Sequence, residues 1–192
     1  MPPEHLLLHS LCRDQIAEDT LEETDELFAA LQAMPGQLIF CYPNSDAGSR
    51  ALIARSKEFI AERRNGQIFV NLDAVTYWSL LRHAQVFLGN SSSGIMETAS
   101  FALPTVNIGE RQRGRERAEN VIDAAANREA IVAALARARS REFRVALRGM
   151  TNPYGDGTAS EKIVDVLTSA PLGMELLVKR ATLLKSEFAA TS

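Results

Sequence analysis

Short apolar runs alternate with longer stretches of helical period between His5 and Ile108, and this alternation limits the fold more than any other feature. The apolar runs have the length and the β-branched or aromatic content of buried strands, whereas the stretches between them repeat apolar residues every three or four positions. Strands separated by helices in this way form a parallel sheet with helices on both faces. The sequence therefore predicts an α/β fold with a Rossmann-like sheet.

The pattern predicts five strands, at residues 5–9, 37–42, 67–71, 86–89 and 104–108. It predicts helices between them at residues 19–34, 50–64, 75–84 and 93–102. After Asn120 the pattern changes, and we expect helices at residues 127–140, 159–167 and 174–188 with no strands between them. The apolar side of the last helix is expected to pack on this domain or on a missing neighbour.

The chain has 192 residues, of which 46% are hydrophobic and 23% charged, and it contains no long repeat or low-complexity linker. Such a chain buries a substantial core, so we expect a single domain over residues 1–192. The formal net charge of −3 provides no basic surface for nucleic acid. We therefore expect a partner other than nucleic acid.

Cys12 and Cys41 are far apart in sequence and have neither metal-site nor redox spacing. Two buried, inert thiols fit a reduced, cytoplasmic protein. The sequence has neither the roughly 18 apolar residues of a membrane span nor the pattern of a signal peptide. We expect a cytoplasmic protein that needs no membrane, no metal and no cofactor.

The stretch FLGNSSSGIMETA is the strongest candidate site, because ligands of open α/β sheets bind where strands end and loops turn into helices. Gly89 ends a strand, and residues 91–94 offer small side chains and backbone N–H groups at the start of a helix. Such a turn can hold a phosphate. It lacks the pattern of a P-loop. The alternative is that Asn90 or a serine only caps the helix.

Glu97 favours the binding interpretation. A capping box would need Ser or Thr three residues earlier, but Gly94 occupies that position and has no side chain. Glu97 is therefore expected to face the same opening as the serines, where its carboxylate can accept two hydrogen bonds from a vicinal diol. A phosphate on the turn and a ribose on Glu97 indicate a bound nucleotide.

Four arginines follow the next predicted strand. Arg111 leaves that strand directly, and a guanidinium suits phosphate oxygens, so we predict a phosphate contact for it. For Arg113, Arg115 and Arg117 we favour a solvated loop in which they pair with Glu110, Glu116 and Glu119, since such surface pairs are common and weak.

The block from Gly89 to Asp123, with YPNSDAGSR upstream, resembles the C-terminal half of the hydrolysing UDP-N-acetylglucosamine 2-epimerases. The similarity covers most of residues 5–170. The resemblance implies a glycosyltransferase type B fold, in which two Rossmann-like domains enclose the active site. This chain resembles only the second, C-terminal domain.

The resemblance implies that Ser91 and Ser92 bind the diphosphate of a UDP-sugar and that the backbone around Ser93 and Gly94 assists. It also implies that Arg111 contacts a phosphate.

Three further roles follow from the resemblance. Glu97 would hold the uridine ribose, and Tyr77 matches an aromatic residue that packs near the uracil. His9 matches a histidine placed by the reacting sugar and phosphate. From the sequence alone, Tyr77 can equally be a half-buried helix residue, and a histidine that ends a strand can be structural.

The implied reaction is an elimination of UDP followed by addition of water, which yields N-acetylmannosamine for sialic-acid-type sugars. Its catalytic carboxylates lie mostly on the first domain of the family. We therefore expect either a fragment of a longer enzyme, which we prefer, or a half that works with a separate partner domain. A homo-oligomer is compatible with both.

Two other functions remain open at this stage. One is the nucleotide-sugar domain of a type B glycosyltransferase, and the other is a non-catalytic module that binds nucleotide sugars.

Overall fold

A computed structural model describes residues 6–10, 19–32, 34–42, 49–63 and 65–178 of the chain. The predicted loops around Cys12 and at residues 43–48, and the predicted helix beyond Val178, lie outside these residues. By its internal contacts the chain divides into two compact units, residues 1–154 and 155–192. The single domain expected over residues 1–192 stays a prediction.

In the described part of the chain, the first unit is built on one sheet of six parallel strands in the order β3-β2-β1-β4-β5-β6. The predicted fold class, a parallel sheet flanked by helices, is confirmed. The strands are β1 (Leu6–Ser10), β2 (Gln37–Tyr42), β3 (Gly66–Val70), β4 (Val86–Gly89), β5 (Thr105–Ile108) and β6 (Val121–Ala124).

In the described residues, the same unit has six helices and a 3-10 turn. They are α1 (Asp19–Gln32), α2 (Ser49–Arg63), α3 (Ala74–His83), α4 (Ser93–Met96), the 3-10 turn Thr98–Phe101, α5 (Arg128–Arg139) and α6 (Arg141–Ala146). The second unit contains α7 (Ala159–Ser169) and α8 (Met174–Leu177). None of the helices in the described part of the chain is long and apolar enough to cross a membrane.

Alternate residues of the strands face two separate cores, because successive side chains of a strand point to opposite sides of the sheet. On one face Leu38, Phe40 and Leu88 pack with residues of α1, α2 and α5. On the other face Ile39, Cys41 and Phe87 pack with Leu81 of α3 and with Leu103. The sheet is therefore covered on both sides, as the sequence pattern predicts.

Cys41 is buried in the second of these cores, and burial raises the pKa of its thiol to about 12. The thiol stays protonated at neutral pH, as expected for a structural cysteine. Cys12 lies outside the described residues.

Strand β6 is a sixth strand, which the sequence pattern did not predict. It has four residues, of which only Ile122 is buried, and Asp123 in its interior is exposed. A strand at the edge of the sheet buries little, so its sequence carries almost no alternating apolar pattern.

Candidate functional site

The ends of β1, β4 and β5 lie side by side at one edge of the sheet. Ser10 pairs with Gly89, and Gly89 pairs with Asn107. Strand order runs outward in opposite directions from β1 and β4, so these two strands flank the switch point at which open α/β sheets bind ligands. His9 occupies the position beside Leu88, one residue before this edge. Its role near the reacting sugar stays a prediction.

A tight turn of residues 91–94, here called the serine turn, follows β4. The N–H group of Gly94 donates to the carbonyl of Ser91 (3.1 Å), and the N–H group of Ile95 donates to that of Ser92 (3.0 Å). Ser92 is the N-cap of α4, but its side chain makes no capping bond. The Ser92 hydroxyl therefore does not cap α4.

The helix predicted over residues 93–102 is too long. Helix α4 ends at Met96, and Glu97 leads into a 3-10 turn that closes at Ala102 with a left-handed φ of 46°. A four-residue helix has little macrodipole, so the helix dipole contributes little to anion binding here. Binding at this turn depends instead on hydroxyl groups and on the neighbouring loop.

A buried polar cluster explains the break after Met96. The hydroxyl of Thr98 donates to the carbonyl of Gly94 (2.8 Å) and accepts from the amide of Asn120 (2.9 Å) and the hydroxyl of Thr105 (2.9 Å). These bonds tie the turn to the strand below it. Side-chain bonds of this kind compete with regular helix geometry.

Gly94 lets the turn lie directly on the sheet. A β-carbon at this position would come within 2.5 Å of the ring of Phe87 and within 3.3 Å of Thr105. Phe87 is fully buried on β4 and cannot move aside cheaply. The glycine is thus required by packing, and its close approach to Phe87 sets the height of the serine turn above β4.

Three of the predicted site residues form one chain of hydrogen bonds. The hydroxyl of Tyr77 lies 2.7 Å from the hydroxyl oxygen of Ser93, which donates to Oε2 of Glu97 at 2.6 Å. All three side chains are half-buried. The structure therefore brings Tyr77 and Glu97 together through Ser93, a connection that the sequence did not suggest.

Helix α3, which carries Tyr77, is fixed at its start by Asp73. The carboxylate accepts from the backbone N–H of Thr76 (3.0 Å) and from its hydroxyl (2.6 Å). The hydrogen bond from the Thr76 hydroxyl, followed by that from the backbone, lowers the pKa of Asp73. Such bonds favour the charged form of a capping carboxylate.

The loop after β5, residues 109–117 and here called the arginine loop, is joined to the start of the serine turn. Arg111 donates from its guanidinium to the carbonyl of Asn90 at 3.1 Å, and Gln112 donates to the same carbonyl at 2.7 Å. Arg111 is exposed, whereas Gln112 is 2% exposed. Sequence reasoning missed Gln112, since a glutamine between arginines gives no sign of being buried.

The other arginines follow the predicted pairing only in part. Arg113 pairs with Glu110 at 3.6 Å and is largely exposed, as expected. Arg117 instead pairs with Asp123 of β6 at 3.2 Å, and it also donates to the carbonyl of Gln112. Because β6 was not predicted, this partner could not be predicted either.

Two residues near the end of the first unit bond to the segment after the serine turn and to the arginine loop. Asn152 donates to the carbonyl of Met96 and to the hydroxyl of Ser100, each at 2.8 Å. The hydroxyl of Tyr154 donates to the carbonyl of Glu116 at 3.0 Å. The sequence pattern gave no reason to place residues 152–154 near the site.

Comparison with known proteins identifies relatives of this chain. Residues 2–168 match the family described as UDP-N-acetylglucosamine 2-epimerase. A Legionella pneumophila protein named UDP-N,N'-diacetylbacillosamine 2-epimerase (hydrolyzing) is 38% identical over 143 residues, which are 74% of this chain and 37% of that protein. The polysialic acid biosynthesis protein P7 of Escherichia coli is 30% identical over 135 residues, 69% of this chain and 34% of that protein.

The fold is also found in solved structures. The Neisseria meningitidis UDP-GlcNAc 2-epimerase bound to UDP-GlcNAc superposes with a TM-score of 0.69 at 14% identity, over 85% of this chain and 44% of that one. The matched part of this chain covers 34–44% of the length of these relatives. The expected fold class, a Rossmann-like sheet of the glycosyltransferase type B kind, is confirmed. With the family match over residues 2–168, the chain belongs to the UDP-N-acetylglucosamine 2-epimerase family.

Proposed function

We propose that this chain binds the UDP part of a UDP-N-acetylglucosamine-type substrate and forms the nucleotide side of the active site of a hydrolysing 2-epimerase. The observation that carries the proposal is the joining of the serine turn and the arginine loop at the Asn90 carbonyl, in a chain with this family match. The two loops then present hydroxyl groups and a guanidinium to one ligand.

Ser91, Ser92 and Arg111 would bind the diphosphate. Among the described residues, the hydroxyl of Ser91 accepts one long bond of 3.4 Å from the N–H group of Ser93, and the side chain of Ser92 makes no capping bond to α4. Both can turn to donate to a phosphate oxygen. The Arg111 guanidinium has five donors, so a phosphate contact is compatible with its bond to Asn90. The backbone around Ser93 and Gly94 would assist in binding the diphosphate.

Glu97 would bind the ribose, because a carboxylate with one oxygen engaged by Ser93 retains lone pairs for a vicinal diol. Tyr77 would border the uracil, and His9 would lie near the reacting sugar. Both assignments rest on the family resemblance and on their places beside the switch point.

The reaction of the whole enzyme would have two steps. A base removes the proton at C2 of the sugar, and the C1–O bond breaks with its electron pair going to the diphosphate, which gives a glycal and UDP. Water then adds its hydroxyl at C1 and its proton at C2 on the opposite face, giving N-acetylmannosamine. Groups held ready at the leaving diphosphate lower the barrier as its charge develops. This chain would supply those groups, and the proton transfers need acids and bases near C1 and C2.

We place most of those acids and bases on a second Rossmann-like domain, which the relatives' greater length accommodates. One relative is named for a diacetylbacillosamine substrate, which supports an amino-sugar substrate. Another is named for polysialic acid biosynthesis, which supports a product that is used to make sialic-acid-type sugars. We propose a cytoplasmic enzyme, with neither nucleic acid nor membrane as partner, and self-association remains compatible with it.

The test has two parts. Isothermal titration of the 192-residue chain with UDP should show weak, saturable binding, and proton NMR with UDP-GlcNAc should show little or no N-acetylmannosamine. Adding the N-terminal half of the Legionella relative should then give UDP release without a sugar acceptor, from UDP-GlcNAc or from UDP-N,N'-diacetylbacillosamine. An absolute need for an acceptor would indicate a glycosyltransferase, and binding without any restored release would indicate a non-catalytic module. Substantial turnover by the chain alone would refute the division of roles.

A further inference from the structure

The hydrogen bonds between Tyr77, Ser93 and Glu97 have only one consistent direction. Ser93 has a single hydroxyl proton and donates it to Oε2 of Glu97 at 2.6 Å. The Tyr77 hydroxyl, 2.7 Å from the Ser93 oxygen, must then be the donor in its own bond. A polarised chain of two donors thus ends on one oxygen of the carboxylate.

Tyr77, the first donor of these hydrogen bonds, is held rigidly by its surroundings. Its ring packs against the core that contains Leu81 and Phe87, and the start of its helix is capped by Asp73. The same Phe87 ring supports Gly94 from below. Tyr77 and the turn that carries Ser93 therefore rest on the same packed core. The two hydroxyl groups that lead to the Glu97 carboxylate are thus held in place, which limits the rotation of that carboxylate.

We infer that Tyr77 and Ser93 are positioning residues that orient the Glu97 carboxylate for the ribose diol, and so determine the discrimination between ribose and deoxyribose nucleotides. The inference rests on the proposed function and extends it. It assigns the third serine of the turn to Glu97 rather than to the diphosphate. It also gives Tyr77 a role for its hydroxyl that is separate from any contact of its ring with the uracil.

The test measures binding of UDP and of 2',3'-dideoxy-UDP to the full 192-residue chain by titration calorimetry or NMR. The dissociation constant of 2',3'-dideoxy-UDP divided by that of UDP is the ratio that reports recognition of the diol, and a lower ratio means weaker recognition. Tyr77→Phe keeps the ring and removes the hydroxyl, and we expect it to lower this ratio by roughly threefold to tenfold, the range of a hydrogen bond between two neutral groups. Ser93→Ala should lower it at least as much. Binding of UDP should weaken more than binding of 2',3'-dideoxy-UDP in both variants.

A matched control is available in the same chain. Tyr42 and Ser56 form a buried tyrosine–serine pair with hydroxyl oxygens 2.6 Å apart, in the core on the other face of the sheet. Ser56→Ala removes the equivalent hydroxyl and should lower thermal stability without changing the ratio. Glu97→Gln should also lower the ratio. Its effect shows how much of the ratio depends on the Glu97 carboxylate, and the effects of Tyr77→Phe and Ser93→Ala are compared with it.

The outcomes separate the two proposals. If Glu97→Gln lowers the ratio while Tyr77→Phe and Ser93→Ala do not, the positioning role is wrong and the proposed function stands. If these two variants weaken both nucleotides equally, their hydroxyls serve the phosphates or the fold, and the inference is again overturned. If the unmodified chain binds neither nucleotide, the proposed function fails, and the inference fails with it.

Discussion

The side-chain amide of Gln112 donates a hydrogen bond of 2.7 Å to the backbone carbonyl of Asn90. This bond crosses from the loop after β5 to the residue that precedes the serine turn. Since Gln112 is buried, the bond is shielded from water and stays strong. Arg111, its neighbour in sequence, is thereby held beside the turn.

Arg111→Ala should weaken UDP binding by about tenfold, because it removes a charge-assisted donor to the diphosphate. The matched variant is Arg113→Ala, which removes an exposed arginine of the same loop that pairs only weakly with Glu110. That change should alter affinity by less than about twofold. Equal effects of the two variants in calorimetric titrations would mean that only the general charge of the loop matters.

Gly94→Ala should destabilise the protein by about 1–3 kcal/mol, because the added β-carbon overlaps the buried ring of Phe87. Lifting the turn from the sheet should also weaken UDP binding. Gly173→Ala serves as the control, since an added β-carbon there meets nothing within 4 Å. Chemical denaturation of both variants measures the difference, and a neutral Gly94→Ala would contradict the packing described for the turn.

Ala102→Gly should stabilise the protein by up to about 1 kcal/mol, because Ala102 has a φ of 46°, which glycine adopts without strain. The same substitution in the exposed interior of α5, Ala133→Gly, should destabilise by about 1 kcal/mol. Opposite signs in thermal unfolding are therefore expected from one chemical change. A loss of stability in both would show that Ala102 is not strained.

Asp73→Asn should reduce the acid sensitivity of the protein. The pKa of Asp73 is lowered in the folded state, so its contribution to stability is present above the unfolded pKa and is lost as the pH falls through the folded pKa. Asparagine keeps the capping oxygen but does not titrate. The difference in melting temperature between the two proteins should shrink as the pH is lowered from about 7 to about 2, and a constant difference would contradict this role.

The sheet could be predicted well because its information is local. Each inner strand is a short apolar run bordered by turn residues, as in Gln37–Tyr42, and its helix follows with a clear period. β6 escaped prediction because an edge strand with one buried residue has no such run. The helix through Glu97 was predicted too long because its break depends on Asn120 and Thr105, which are distant in sequence.

The site was predictable as a set of residues but not as a network. Spacing placed Glu97 near the serines, and strand order placed Arg111 near the same edge. No sequence rule could show that Ser93 turns its hydroxyl to Glu97, or that Gln112 is buried against Asn90. Such pairings depend on how two loops pack, which is a property of the folded chain.

The location of β1 has a consequence for how the sheet assembles. β1 is the first of the six strands in sequence, yet it pairs with both β2 and β4, so that Leu7 lies beside both Leu38 and Val86. Closing the shorter loop to β2 costs less chain entropy than closing the longer one to β4. The β1–β2–β3 half is therefore expected to form first. The switch point between β1 and β4 would then be completed late in folding. On the proposed function, UDP binding would appear only at that last step.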